Sequence, residues 1–241
     1  MKESPQLKHY VERLGLPRAC LPTIADIYNQ MDARIWVVEN SYAMNKKDSH
    51  VIKSTANYER IDKKDGVSRW SELLQCIDFH TKMAARCWIP TKYWLVNEPD
   101  GNLPKRFGLC WGHPDEVSGE LEQALQIINN VKLDAKVNPL GHQLSRIEKY
   151  LSKESSRLKE KGEFVGVVVC TQGVPTDDRG NKGHEVVKDF VKSLASLSAS
   201  PVKIIFRLCT DNDQVVDFYN TLDANEKCAC DVLDDFWGEV S

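Results

Sequence analysis

The sequence lacks any apolar run of the roughly 18 residues that a membrane-spanning helix requires. Residues 1–9 are polar and contain no apolar stretch of signal-peptide length. An excess of one charge is also missing, because 32 lysines and arginines oppose 35 aspartates and glutamates. Nucleic acids and anionic membranes attract concentrated positive charge, so neither is expected as a partner. These absences predict a cytoplasmic protein.

Motifs of metal binding and catalysis are scarce as well. The eight cysteines are scattered, and those in apolar runs, such as Cys170, usually behave as small buried hydrophobic residues. Cys228 and Cys230 form a C-x-C pair, but no second pair stands at the spacing of a zinc site. There is no G-x-S-x-G nucleophile elbow and no phosphate-binding P-loop. We therefore expect neither a structural zinc site nor nucleophilic catalysis.

Short apolar runs alternate along the chain with longer amphipathic stretches. The runs that predict strands are 34–38, 93–96, 107–111, 164–170 and 202–208. The stretches that predict helices are 68–86, 114–129, 141–161, 184–197 and 214–222. The runs at 164–170 and 202–208 are apolar almost throughout, which is typical of central parallel strands. The rhythm predicts an α/β fold with a doubly wound, mostly parallel central sheet and helices on both faces.

We predict one domain, residues 34–241, preceded by a helical lead-in at residues 1–33. Residues 45–64 are a polar insertion, and the order of that insertion is left open. The acidic segment 231–239 alternates acids with large apolar residues, so it is either a last helix or strand on the sheet or a short docking peptide. The tryptophans of the strand candidates, Trp36, Trp94 and Trp111, are expected in the core. Trp88 and Trp237 adjoin turns, where an aromatic residue can anchor a partner.

Polar residues follow the predicted strands at the places where ligands gather in open parallel sheets, outside the carboxyl ends of the strands. Glu39 and Ser41 come directly after the first strand. Gln172 follows the strand 164–170 and begins a turn that contains Gly173. A third segment, 138–144, is a turn that leads into a helix.

Together these segments resemble the von Willebrand factor type A (vWA) domain. That family has a strand ending in D-x-S-x-S, a threonine on a second loop and an aspartate in a T-D-G-x-P-type turn, and these residues coordinate one divalent cation. Here Glu39, Ser41 and Ala43 occupy the first element, His142 the threonine position and Gln172 the aspartate position. The resemblance covers residues 34–230, and the acidic tail resembles that of a eukaryotic cytosolic branch.

The resemblance implies a metal-ion site that has lost most of its donors. Its positions are Glu39, Ser41, His142 and Gln172, and of the family's five ligands only Ser41 keeps the expected side chain. Magnesium prefers hard oxygen donors in octahedral geometry, usually with at least one carboxylate. We therefore expect no cofactor, with Mg²⁺ or another divalent cation as the alternative.

Each of these residues also has a purely structural interpretation. Glu39 can accept backbone N–H bonds at the strand end, and Ser41 can cap the next turn. His142 can be an exposed residue before a helix, and Gln172 can form hydrogen bonds with neighbouring loops.

Three hypotheses for the function follow. The leading one is a non-catalytic module that binds another protein, with Tyr42, Thr171 and Asp177 as candidate contacts. The second keeps metal-dependent ligand binding through the site positions, with the cation bridging to an acidic residue of the partner. The third is a hydrolase in which His142 acts as general base, oriented by Glu39 or Asp177, and it requires these groups within hydrogen-bond reach.

Overall fold

The computed structural model describes residues 19, 21–54, 61–224 and 228–233. Its strands are β1 (Met31–Val38), β2 (Ser49–Ser54), β3 (Ile61–Val67), β4 (Thr91–Leu95), β5 (Arg106–Leu109), β6 (Phe164–Thr171), β7 (Val202–Leu208) and β8 (Cys230–Leu233). Its helices are α1 (Leu21–Gln30), α2 (Arg69–Cys87), α3 (Val117–Asn129), α4 (Leu140–Leu151), α5 (Ser155–Lys161), α6 (His184–Ser198) and α7 (Asp213–Asp223). Short 3-10 turns occupy Tyr42–Asn45 and Pro114–Glu116.

Six of the strands form one sheet in the order β5-β4-β1-β6-β7-β8. Neighbouring strands are parallel except for β5, which runs antiparallel to β4 at one edge. From β1 the chain first adds strands on one side and then returns to add β6, β7 and β8 on the other, so the strand order reverses between β1 and β6. This topology confirms the predicted doubly wound α/β fold.

Both faces of the sheet are covered, as alternation along β1 illustrates. Ile35 and Val37 point into a core formed with α4, α6 and α7. Trp36 and Val38 point into a second core formed with α2 and α3. All four are almost fully buried, and each aliphatic side chain among them contributes about 1.5–3 kcal/mol relative to an exposed one. Two cores of this kind hold the carboxyl ends of the strands in place.

Two predictions about the elements are wrong in detail. The predicted helix 141–161 is two helices, α4 and α5, separated by a turn at residues 152–154. Trp111 is not in the core: β5 ends at Leu109, Cys110 adopts a left-handed backbone with φ 63°, and the Trp111 side chain is 46% exposed. Trp36 and Trp94 are buried, as predicted.

The lead-in, the polar insertion and the acidic segment contain helices or strands that the sequence does not specify. Helix α1 lies inside the expected lead-in, and β1 begins at Met31, before the predicted start of the strand. Within the polar insertion, β2 and β3 pair as an antiparallel two-stranded sheet. The start of the acidic segment forms the edge strand β8, whereas Trp237 and the rest of that segment lie outside the described residues.

Among the described helices, none has the length and apolar character that crossing a membrane demands.

Candidate functional site

The reversal of strand order brings the carboxyl ends of β1 and β6 side by side. The backbone N–H of Glu39 donates to the carbonyl of Cys170 (3.0 Å), which fixes the first residue after β1 beside the end of β6. An open cleft of about 780 Å³, here called the loop cleft, lies above this point. It is lined by the loops that follow β1, β6 and β7 and by the segment before α4. The predicted site residues Glu39, Ser41 and Gln172 all line it.

Glu39 is fully buried, and both of its carboxylate oxygens accept hydrogen bonds. Oε1 accepts from the Ser41 hydroxyl (2.6 Å) and from the Gln172 side-chain amide (3.0 Å). Oε2 accepts from the Thr171 hydroxyl (2.6 Å) and from the Gln172 backbone N–H (3.0 Å). Four donors satisfy a buried carboxylate, which would otherwise be costly to desolvate. Ser41 is thus a donor to Glu39, and its hydroxyl does not cap the following turn as one interpretation expected.

The guanidinium group of Arg69 extends this arrangement by binding the side chain of Gln172. The Gln172 side-chain oxygen accepts from Arg69 Nη1 (2.5 Å), and Arg69 is itself 4% exposed. Arg69 also binds the Asp48 carboxylate with two hydrogen bonds, of 2.7 and 2.6 Å. These bonds lower the pKa of Asp48 from 3.8 to about 2, chiefly through the hydrogen bond from Arg69. We call this chain of contacts, which consists of Glu39, Ser41, Thr171, Gln172, Arg69 and Asp48, the Glu39 network.

Helix α2 places Arg69 where it can reach the network. Ser68 is the N-cap, and its hydroxyl accepts from the backbone N–H of Ser71 (3.1 Å). The Arg69 N–H donates to the carbonyl of Lys46 (3.0 Å), which ties the start of the helix to the loop that follows β1. The N-cap Ser68 therefore also helps to position a cation that no sequence motif connects with the site.

In the segment 138–144, the residue that contacts Thr171 is Asn138, whereas the resemblance assigns the site position to His142. Its side-chain amide donates to the Thr171 hydroxyl (3.0 Å), and its backbone N–H donates to the Thr176 hydroxyl (2.8 Å). Asn138 is 4% exposed, and among the described residues its buried side-chain oxygen has no hydrogen-bond partner. The loop before α4 thus joins the site through Asn138, four positions before the predicted residue.

The structure does not bring His142 together with the other predicted site residues. Helix α4 begins at Leu140, and its inward face carries Leu140 and Gln143, so the helical period turns His142 outward. The His142 side chain is 60% exposed, and its Nδ1 lies 2.9 Å from the carboxylate of Asp178. It borders a separate small pocket together with Asp177 and does not line the loop cleft. Its interpretation as an exposed residue at the start of a helix fits this position.

The three predicted partner contacts differ sharply in accessibility. Thr171 is fully buried, so its side chain does not reach the surface. The Asp177 carboxylate accepts bonds from the backbones of Arg179 and Asn181 and from the Asn181 side chain, and the last bond is the largest cause of its lowered pKa. Asp177 therefore stabilises its own turn. Tyr42 is 64% exposed at the rim of the loop cleft.

The donor set at the strand ends does not fit a magnesium ion as it is arranged. Both oxygens of Glu39 are engaged by protein donors, and the oxygen of Gln172 is held by a cation. Magnesium requires several unengaged oxygen ligands in octahedral geometry. Within residues 19, 21–54, 61–224 and 228–233, no group of three histidine, cysteine or acidic side chains is placed to hold a metal ion. The arrangement fits a closed hydrogen-bond network.

Solved structures share this fold at low sequence identity. The PilB minor pilin of Streptococcus sanguinis aligns with a TM-score of 0.54 and 9% identity over 85% of this chain and 57% of the pilin chain. A mutant of the same pilin gives a TM-score of 0.51 and 12% identity, with the same coverage of both chains. The SpRpn10 VWA domain aligns with a TM-score of 0.43 and 11% identity over 85% of this chain and 87% of that domain.

Comparisons of sequence alone return less. No protein-family model matches the chain, and no curated protein matches it significantly. This chain spans 57% of the pilin's length, and at such identities the structural likeness concerns the fold and not the activity. The predicted doubly wound α/β fold is confirmed; the degenerate metal site and the eukaryotic branch stay predictions.

Proposed function

We propose that this protein is a non-catalytic, cytoplasmic protein-interaction module of vWA-like fold that binds its partner at the loop cleft without a metal ion. In a metal-dependent module, a cation bridges the strand ends to an acidic residue of the partner. Here the partner instead contacts the protein surface directly, and the Glu39 network holds the loops in a fixed arrangement beneath it.

The observation that carries the proposal is the engagement of both Glu39 oxygens by four internal donors. A metal would have to displace donors from Glu39 and leave buried hydroxyl and amide groups without partners, at about 1–3 kcal/mol for each lost group. Arg69 adds a positive charge beside Gln172, which opposes the approach of a second cation. The network therefore favours direct binding over a metal bridge.

Tyr42 is the best candidate for an anchor of the partner. Its side chain is 64% exposed, whereas its backbone N–H donates to the carbonyl of Ala135 (2.6 Å) and so joins two loops of the cleft. Exposed tyrosines on rigid backbones lose little conformational entropy on binding and are common binding hot spots. Lys46, Lys136 and Lys182 also line the cleft and suit a partner that carries some acidic residues.

A hydrolytic role has less support from the positions of the same residues. His142 pairs with Asp178 on an exposed surface, and Glu39, its proposed orienting residue, is buried in the network. Asp177 is occupied by its own turn. A general base needs an orienting group within hydrogen-bond reach in the same pocket as the substrate.

An affinity pull-down from native cell lysate tests the proposal. The bait is the wild-type chain, the variant Tyr42→Ala, or the control Phe79→Ala, which removes another exposed aromatic residue on helix α2. We expect a partner that is retained by wild type and Phe79→Ala, that is lost by Tyr42→Ala, and that remains bound in EDTA. Release of the partner by EDTA would contradict the metal-free mode, and retention by Tyr42→Ala would contradict the loop cleft as the binding surface.

A further inference from the structure

A second cleft, of about 630 Å³, lies near the amino-terminal ends of β1 and β6, whereas the loop cleft lies at the carboxyl ends of these strands. It is lined by the start of β1, by β4 and β5 at the sheet edge, and by α4 and α5. Ile35, Leu158 and Val165 lie buried beneath it, and the apolar groups exposed in it are the rings of Trp111 and Tyr150, at 46% and 38%. We call it the basic cleft, because cations dominate its walls.

The charges in the basic cleft are strongly unbalanced. Six lining residues are cationic and two are acidic, although the whole chain has a net charge of −3. The two acids, Asp32 and Glu154, are both bound by Arg157, at 2.9 Å each. The other five cations have no ion pair among the described residues; they are Lys92, Arg106, Arg146, Lys149 and Lys153. A concave surface therefore gathers positive charge that has no carboxylate partner in the part of the chain that the structure describes.

Aromatic side chains hold two of these cations in place. Lys92 Nζ lies 4.1 Å from the ring centroid of Trp111 and 4.5 Å from that of Tyr150. The Arg106 guanidinium lies 3.8 Å from the ring of Trp94. Trp111 is anchored in turn, because its indole N–H donates to the carbonyl of Thr91 (3.0 Å). Cation–π contacts at exposed sites contribute about 0.5–1 kcal/mol each, so they orient the cations but do not neutralise them.

We propose that the basic cleft docks an acidic peptide segment of a partner protein, with carboxylates on the five cations and an apolar side chain against the exposed rings of Trp111 and Tyr150. The cleft combines exposed aromatic rings with a rim of charges of one sign, and this combination is complementary to an acidic, partly apolar peptide. It also lies beside β5, which within the described part of the chain is an edge strand that pairs with β4 alone, and an extended peptide can add to an edge strand.

Single-stranded nucleic acid fits the basic cleft less well. Binding of that kind uses open aromatic faces on which bases stack. Here Lys92 covers faces of Trp111 and Tyr150, and Arg106 covers a face of Trp94. The proposal does not depend on the function assigned to the loop cleft, because the two surfaces share no lining residue.

Fluorescence anisotropy with a short labelled polyglutamate peptide that carries one central leucine tests the proposal on the full chain. The test variant reverses three exposed charges on one face of the α4 region: Arg146→Glu, Lys149→Glu and Lys153→Glu. The control variant makes the same change of net charge elsewhere: Lys132→Glu, Lys188→Glu and Lys192→Glu. We expect the test variant to weaken binding by at least ~10-fold and the control to change it by less than about twofold. Added salt should weaken binding to the wild type.

Unfolding midpoints of both variants, measured in urea, show whether a loss of binding is a loss of fold. Binding of the peptide with selective loss in a folded test variant supports the proposal. No binding to the wild type, or equal loss in test and control, would overturn it. Tighter binding of single-stranded oligothymidylate or of inorganic pyrophosphate than of the peptide, with the same response to the test variant, would also overturn it and would assign the basic cleft to phosphate ligands.

Discussion

The loop cleft and the basic cleft are both concave and both charged, but they differ in whether their charged groups are paired within the described residues. At the loop cleft, the carboxylate of Glu39 is buried and each of its oxygens has two donors within the chain. At the basic cleft, Arg146, Lys149 and Lys153 are exposed and have no carboxylate partner among the described residues. The charge in the sequence motif is therefore engaged within the chain, whereas the cations of the basic cleft, which belong to no motif, have no carboxylate partner in the described residues.

The largest expected effect comes from removing the carboxylate of Glu39. The change Glu39→Ala leaves buried donors of Ser41, Thr171 and Gln172 without an acceptor, and we expect it to lower the free energy of unfolding by about 3 kcal/mol. Urea denaturation measures this loss. The control Glu122→Ala, at an exposed helix position, should stay within about 0.5 kcal/mol of wild type. A Glu39→Ala protein as stable as the control would show that the network is not structural.

Removing the cation of the network should have a smaller effect. Arg69→Ala leaves the Gln172 oxygen and the partly exposed Asp48 without their shared donor, so we expect a loss of about 2 kcal/mol in the free energy of unfolding. The matched change Arg146→Ala in the basic cleft removes a cation that has no ion-paired carboxylate among the residues the structure describes. Equal losses in the two variants, measured by urea denaturation, would remove the contrast between the clefts.

Acid should weaken the network through Asp48. The pKa of Asp48 is lowered in the folded state from 3.8 to about 2, so its charged form is stabilised by folding. This contribution is fully present above about pH 4 and is lost as the pH falls toward about 2. Because Asp48 is partly exposed, we expect it to amount to about 1 kcal/mol after solvent screening. Urea denaturation of wild type and Asp48→Asn across this range should show a gap that closes on acidification; a constant gap would contradict the account.

The smallest effect is expected in the basic cleft. Lys149→Ala removes an exposed cation surrounded by other cations, so the free energy of unfolding should change by less than about 0.5 kcal/mol. Thermal denaturation at low and moderate salt provides the measurement. A loss comparable to that of Arg69→Ala would mean that the cleft's charges are held by the fold and are not left for a partner.

The sheet was predictable from the sequence because burial on both faces leaves a local pattern. The apolar runs that form β6 and β7 follow from neighbouring residues alone. Residues 141–161 form two helices because of the turn at residues 152–154. Trp111 is exposed because of the backbone conformation of Cys110. These are features of conformation that the hydrophobic pattern does not record.

The candidate site was predictable only in part, because its contacts span long stretches of sequence. Glu39 and Gln172 were found since each directly follows a strand, and the sheet brings strand ends together. Arg69 lies 103 residues from Gln172 and carries no motif, so the sequence alone did not link the two. Asn138 was in the right segment, but the motif pointed to His142, which the helical period turns outward.

The central claim is that hydrogen bonds within the chain take the place of a cation at the ends of β1 and β6. Urea unfolding of wild type and Glu39→Gln in excess Mg²⁺, in excess Mn²⁺ and in EDTA tests it most directly, because a ligand of the folded state raises stability. We expect the wild type to have the same midpoint in all three solutions. A wild-type midpoint that rises with either cation, together with a Glu39→Gln midpoint that does not, would contradict it.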